Sequence, residues 1–307
     1  MTQSDEGQSR FFCSELSRRA RERVAGTAST GAVWFLLEYP HGWGRHAFQE
    51  SALPAEVKQF FKDAMARIRH SRILLIKTDR GRRDARMNLF VVCCRERSPF
   101  TIRLRVERYF DVLRYDLAEI ASGRDLQGGE ASRGPLYLVC THGRRDKCCA
   151  KFGVPLYNTL RERAGDRVWQ SSHVGGDRFA GNLVCFPHGL FYAHMTADAA
   201  RRIMEKYEQR QLVLEGYRGR ACYSYPVQAA EFFIRTETKL GALDALRYRR
   251  HERTRDGGWR VVFAGTDVLI HEAHIAARTS EFHNYITCQA TEERPVIQYV
   301  LENYRAT

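Results

Sequence analysis

LYLVCTHGRRDKCCAKFGVPLYNTLRERAGDRVWQSSHV, residues 136–174, decides the fold. Its first five residues are a short apolar run that reads as a buried strand. Ala150 to Ala164 repeats apolar residues at helical spacing, with Pro155 near the first turn, and RVWQSSHV reads as a second strand. A strand, a helix and a strand in this order require a crossover onto a neighbouring strand. The loop before the helix holds Cys140, His142, Asp146, Cys148 and Cys149 among Arg144, Arg145 and Lys147. Cys149 falls at a helix N-terminus, where the helix dipole and the nearby cations favour a thiolate able to bind a metal or attack a disulfide. After the second strand, Ser172-His173-Val174-Gly175-Gly176-Asp177 offers a nitrogen and an oxygen ligand four residues apart. The paired glycines let the backbone approach a bulky group.

The pattern extends in both directions. NLVCFPHG and LFYAHM form a hairpin around Pro187 to Gly189, and Thr196 caps a helix that runs to Gln209. Upstream, the run from Gly31 is a strand, Leu53 to Arg69 a helix, and SRILLIKTD and MNLFVVCCR are strands separated by the basic turn DRGRRDAR. TIRLRVERYF alternates apolar and basic residues as a half-exposed strand does. Ala121 to Pro135, rich in glycine and serine, is the linker. Beyond Gln228 come a helix and then WRVVFAG, TDVLIHEAHIAAR, NYITCQA and PVIQYVLENY, all strand-like. The expected fold is α/β: two thioredoxin-sized α/β units in tandem, over 1–125 and 134–230, with a C-terminal β-rich accessory region over 231–307.

Composition narrows the function. The 307 residues carry 49 bases against 36 acids, a net charge of +13. Such a field draws acidic partners. The basic residues are dispersed and accompany no helix-turn-helix, zinc-finger or ribonucleoprotein signature, which argues against nucleic acid. No apolar run is long enough for a membrane helix, and the first ten residues lack the form of a secretory signal, so a cytoplasmic location is expected. Nine cysteines, an odd number, favour reduced thiols or metal ligands over a disulfide scaffold.

CTHGRRDKCCAKFG (140–153), VWQSSHVGGDRFAGNLVCFPHGLFY (168–192) and YRGRACYSYPVQAAE (217–231) together resemble the three blocks of the sucrase/ferredoxin-like family. The likeness extends to Cys13, AGTAS (25–29) and VWFLLEYPHGWGRHAFQES (33–51). The resemblance implies a thioredoxin-like ferredoxin whose [2Fe-2S] cluster is held by a C-x8-C pair and an H-x3-H pair. Cys140 and Cys149 match the first pair and His173 the first histidine, while Asp177 stands at the second. Cys148 and His142 compete with Asp177 for the fourth position, since iron-sulfur clusters are held chiefly by thiolates.

The expected function is therefore electron transfer, with proton uptake coupled to reduction through His173 and an acidic redox protein as partner: a carrier rather than a catalyst. Arg144, Arg145, Lys147, Lys151 and Arg178 would favour the reduced cluster and form the docking face. The rivals are a thiol-disulfide enzyme, against which the absence of C-x-x-C counts, and a zinc or nucleic-acid-binding module. No carboxylate pair argues for glycoside hydrolysis. Cys93, Cys94 and Cys185 read as core thiols, and Cys13, Cys222 and Cys288 as single thiols for which packing outranks ligation. His271 and His274 lack the spacing of a helical metal pair.

Overall fold

The computed structural model describes residues 11–79, 86–132 and 134–307. The decapeptide read as lacking a signal and most of the turn DRGRRDAR lie outside the described residues. In chain order the elements are α1 (Cys13–Arg19), β1 (Val33–Glu38), α2 (Ala55–Arg67), β2 (Ser71–Lys77), β3 (Met87–Cys93), β4 (Phe100–Val106), α3 (Leu117–Ser122) and β5 (Glu130–Ala131). Then follow β6 (Leu136–Cys140), α4 (Lys147–Ala164), β7 (Val168–Ser171), β8 (Leu183–Phe186), β9 (Leu190–Tyr192), α5 (Ala197–Glu208), β10 (Tyr217–Arg220) and α6 (Tyr225–Thr238). The chain ends in β11 (Leu246–Arg253), β12 (Trp259–Gly265), β13 (Ile270–Asn284) and β14 (Arg294–Ala306).

Both α/β units obey one rule. In the first, β1 runs parallel to β2 across the α2 crossover and antiparallel to β3, which pairs with β4. In the second, β6 runs parallel to β7 across α4 and antiparallel to β8, which pairs with β9. The two second strands, β2 and β7, pair antiparallel, with Ile76 opposite Ser171. One mixed sheet of ten strands results, in the order β10-β9-β8-β6-β7-β2-β1-β3-β4-β5, beside a separate antiparallel sheet of β11 to β14. The chain is thus α/β with a C-terminal β-rich layer.

Alternation along the strands divides the core. Phe35 and Leu37 of β1 pack with Val57 and Phe61 of α2. Trp34 and Leu36 face the other way, into a cluster shared with Leu138, Cys140, Cys149, Trp169, Phe186 and Phe191. The first unit is therefore packed against the inner wall of the second, beside the cysteine loop. A separate cluster joins α6 to the C-terminal sheet through Val227, Ile234, Val261, Phe263 and Ile275.

Several local expectations shift. The fourth helix starts at Lys147, three residues before the apolar periodicity, because the Asp146 carboxylate caps it by accepting the Cys148 N–H. Pro155 accordingly sits inside the helix. Part of the linker is ordered, as the end of α3 and as β5. NYITCQA, read as a strand from its β-branched Ile286 and Thr287, is instead the turn between β13 and β14. The basic strand β11 and the short strand β10 have no apolar alternation to reveal them. Thr196 caps α5 as expected, accepting the Ala199 N–H. Among the described residues no helix is long and apolar enough to cross a membrane.

Two histidines give the fold an acid limit. Burial pushes the His188 imidazole down to about 3 and that of His194 to about 4. In an unfolded chain both would titrate near their ordinary value of about 6.5. Between those values the unfolded chain binds protons that the folded chain refuses, so stability falls as pH drops below about 6.5. Each group costs about 2 kcal/mol at pH 5. Urea midpoints at pH 7 and pH 5 check this, and His188→Gln should remove roughly half of the difference that the two histidines produce. An unchanged difference would contradict it.

Candidate metal centre

The β6–α4 junction brings the first two sulfurs together. Cys140 ends the buried strand, and Cys149 lies in the first turn of the helix that follows. Gly153, one turn further along, allows this approach: a Cβ there would overlap the Cys140 carbonyl oxygen. Gly153→Ala should force α4 off the strand end, costing about 1–3 kcal/mol by overpacking and separating the two sulfurs. Thermal melts and metal content measured on the same variant check both effects.

The loop after β7 supplies the nitrogen. His173 Nδ1 lies 4.0 Å from the Cys140 sulfur and 3.9 Å from that of Cys149. All three ligand atoms fall within 4.8 Å of one another. Asp177 is buried, with Oδ1 3.3 Å from His173 Nδ1. Among the described residues that oxygen has no hydrogen-bond partner. A buried carboxylate oxygen beside that one imidazole is compatible with a further positive group next to it. Cys140, Cys149 and His173 thus meet in one place, whereas Asp177 touches His173 but stands outside the group of mutually close ligand atoms.

Their electrostatics favour one anionic sulfur, that of Cys140, and reverse the expectation of a thiolate at Cys149, where the hydrogen bond to Cys140 and burial outweigh the helix N-terminus. The hydrogen bond from Cys149 holds the Cys140 thiol well below its usual range, and donating it pushes Cys149 well above. Burial lowers His173, but the Cys140 thiolate overcomes this and raises it on balance. Burial also raises Asp177, opposed by the His173 imidazole. Two cysteine sulfurs and an imidazole, with a carboxylate beside the imidazole, are compatible with iron bridged by sulfide as well as with other thiophilic metals.

The competitors for the fourth position do other things. His142 is buried, its Nε2 2.7 Å from the Gly44 carbonyl and its Nδ1 accepting the His173 N–H at 3.1 Å. With both nitrogens engaged, it fixes the backbone of His173 rather than pointing a free nitrogen at the sulfurs. Gly44 belongs to the first α/β unit, which in this way buttresses the centre. Cys148, one residue from Cys149 and so about 100° around the helix, turns to a different group, with Cys13 and Cys288.

The bulky group admitted at Gly176 is Arg218, which the sequence reading did not single out, while Gly175 makes room for the Ser29 side chain. Gly175 and Gly176 have φ of +91° and +85°, and a Cβ at Gly176 would lie 2.7 Å from an Arg218 nitrogen. The buried guanidinium donates to the Gly175 carbonyl at 3.0 Å and to Asn182 Oδ1 at 2.7 Å, and it packs over Phe179. Burial lowers it to about 9, so it remains a cation at neutral pH. Two of the basic residues expected on the docking face are held in ion pairs, Arg178 with buried Glu22 and Lys151 with Glu15. The remaining histidine pair is occupied as well: His271 meets Tyr304 and Asp267, and His274 meets Glu272.

Neither a curated relative nor a solved structure matches this chain. The Suc_Fer-like profile, described as sucrase/ferredoxin-like, matches residues 24–219, a span that includes Cys140, Cys149, His173 and Asp177. With more than half of its length covered by that profile, the chain belongs to the sucrase/ferredoxin-like family.

Proposed function

We propose that this protein transfers electrons through a [2Fe-2S] cluster held by Cys140, Cys149, His173 and Asp177. The supporting observation is the convergence of two buried thiols and an imidazole, with a buried Asp177 carboxylate oxygen 3.3 Å from that imidazole and without a hydrogen-bond partner among the described residues. Bound there, the cluster would supply one-electron chemistry. The chain's own residues set its surroundings. Cys140 and Cys149 give the thiolates, His142 orients His173, and Arg218 holds the Gly175–Gly176 turn that leads to Asp177. The buried Arg218 cation favours the added electron. Arg144 and Lys147 are exposed on the cysteine loop, with Arg145 half-buried between them. They offer an acidic redox protein its docking face.

Anaerobic purification followed by iron and sulfide analysis tests this reading. About two irons and about two sulfides per chain, with visible absorption, are expected. A colourless protein without iron that loses thiols on mild oxidation would instead be a thiol-disulfide enzyme.

Proton coupling has its own measurement. With Nδ1 facing the sulfurs, Nε2 is the outer nitrogen of His173, and an added electron raises its proton affinity. Reduction then takes up a proton, so the midpoint potential should fall by about 59 mV per pH unit where the coupling operates. Potentiometry giving one potential across pH 6 to 9 would rule it out.

A further inference from the structure

Cys13, Cys148 and Cys288 are separated by most of the chain, yet their sulfurs form a triangle with edges of 3.6, 3.3 and 3.5 Å. Asp146 closes the group, with both carboxylate oxygens 3.9 Å from the Cys13 sulfur. Cys13, Cys148 and Asp146 are fully buried, and Cys288 is half-buried. We propose that these four residues are a second metal site, separate from the first, which binds one zinc ion through three thiolates and the Asp146 carboxylate.

The dimensions point to a single ion. Tetrahedral zinc with Zn–S bonds of about 2.3 Å sets its sulfurs roughly 3.8 Å apart, a few tenths of an ångström wider than this triangle. A disulfide needs sulfurs at about 2.05 Å and would leave the third thiol unpaired. Backbone N–H groups are already aimed at the sulfurs: that of Cys13 at Cys288 Sγ and that of Ser14 at Cys148 Sγ, both at 3.5 Å. Asp146 is itself fixed by the N–H groups of Cys148, at 2.8 Å, and of Cys288, at 2.7 Å. Three sulfurs and one oxygen around a small buried volume are a zinc donor set. On binding, the ion displaces the thiol protons to solvent and forms three Zn–S bonds with no change of oxidation state.

The site would act as a staple. It ties α1, near the start of the chain, and the β13–β14 turn, near its end, to the first turn of α4. Cys13 and Cys288 both lie outside the segment matched by the family profile, whereas Cys148 lies within it.

Metal analysis of the full chain purified without chelator tests the proposal independently of the iron reading. About one zinc per chain is expected, falling at least roughly tenfold in Cys288→Ser while iron is unchanged. Cys140→Ser should do the reverse, losing iron and keeping zinc. If Cys288→Ser does not fold, zinc-edge absorption on the unaltered protein decides: three sulfurs at about 2.3 Å and one oxygen at about 2.0–2.2 Å support the site. Zinc-free protein, zinc retained by a folded Cys288→Ser variant, a coordination shell without sulfur, or a disulfide among the three cysteines would each overturn it.

Discussion

Cys140→Ser and Cys149→Ser should each reduce bound iron from about two per chain to near zero and bleach the visible absorption. Serine keeps the shape of the side chain but replaces a soft, ionisable sulfur with a hydroxyl that iron-sulfur clusters rarely use. The effect should be nearly complete because both sulfurs are buried in the shared core, where another donor would need the strand end or the helix start to move. Cys148→Ser is the internal control. Its sulfur belongs to the other group, so iron and colour should persist. Iron analysis and absorption spectra on the three variants check this, and loss only in Cys148→Ser would reverse the assignment of thiols to sites.

Glu231→Ala should be the most destabilising of the substitutions considered, by about 3–5 kcal/mol. Glu231 is fully buried on α6 and accepts from Arg220 at 3.0 Å, Arg235 at 3.1 Å and the Tyr217 hydroxyl at 2.8 Å. Burial raises its carboxyl, but the two guanidinium groups outweigh this and hold it below the usual range. Truncation would leave two buried cations without their anion, which costs more than the net worth of the intact network. The loss should reach the metal centre, since Arg220 and Tyr217 flank Arg218 on β10. A depressed carboxylate contributes stability above its unfolded value that is lost as pH falls through the folded one. The urea midpoint of Glu231→Ala should therefore lie far below that of the unaltered protein at pH 7 and approach it in acid. Equal midpoints at pH 7 would show that the network contributes nothing.

The second α/β unit was legible because its signals are local. A five-residue apolar strand, a periodic helix and a turn rich in glycine need few residues to declare themselves, and C-x8-C with H-x3-D set four ligand candidates on neighbouring loops. What the sequence hid depends on distance or on angle. Cys288 sits in a segment whose β-branched residues suggest a strand, and nothing near it reveals that β13 and β14 fold back to bring it beside residues 13 and 148. Cys148 and Cys149 are adjacent in sequence, but one helical step turns them to different partners. Arg218 reads as one more surface base until Gly176 of another loop is seen to make room for it. The joining of the two units into one sheet was equally hidden, since it rests on the short β2–β7 pairing between strands far apart in the chain.

Pulsed electron paramagnetic resonance on the reduced protein, carrying nitrogen-15 histidine, reads the cluster's nitrogen ligand. A reduced-cluster signal with strong coupling to one histidine nitrogen is expected, abolished or replaced in His173→Ser and retained in His142→Asn. A cluster signal without nitrogen coupling, or one that persists unchanged in His173→Ser, would contradict it.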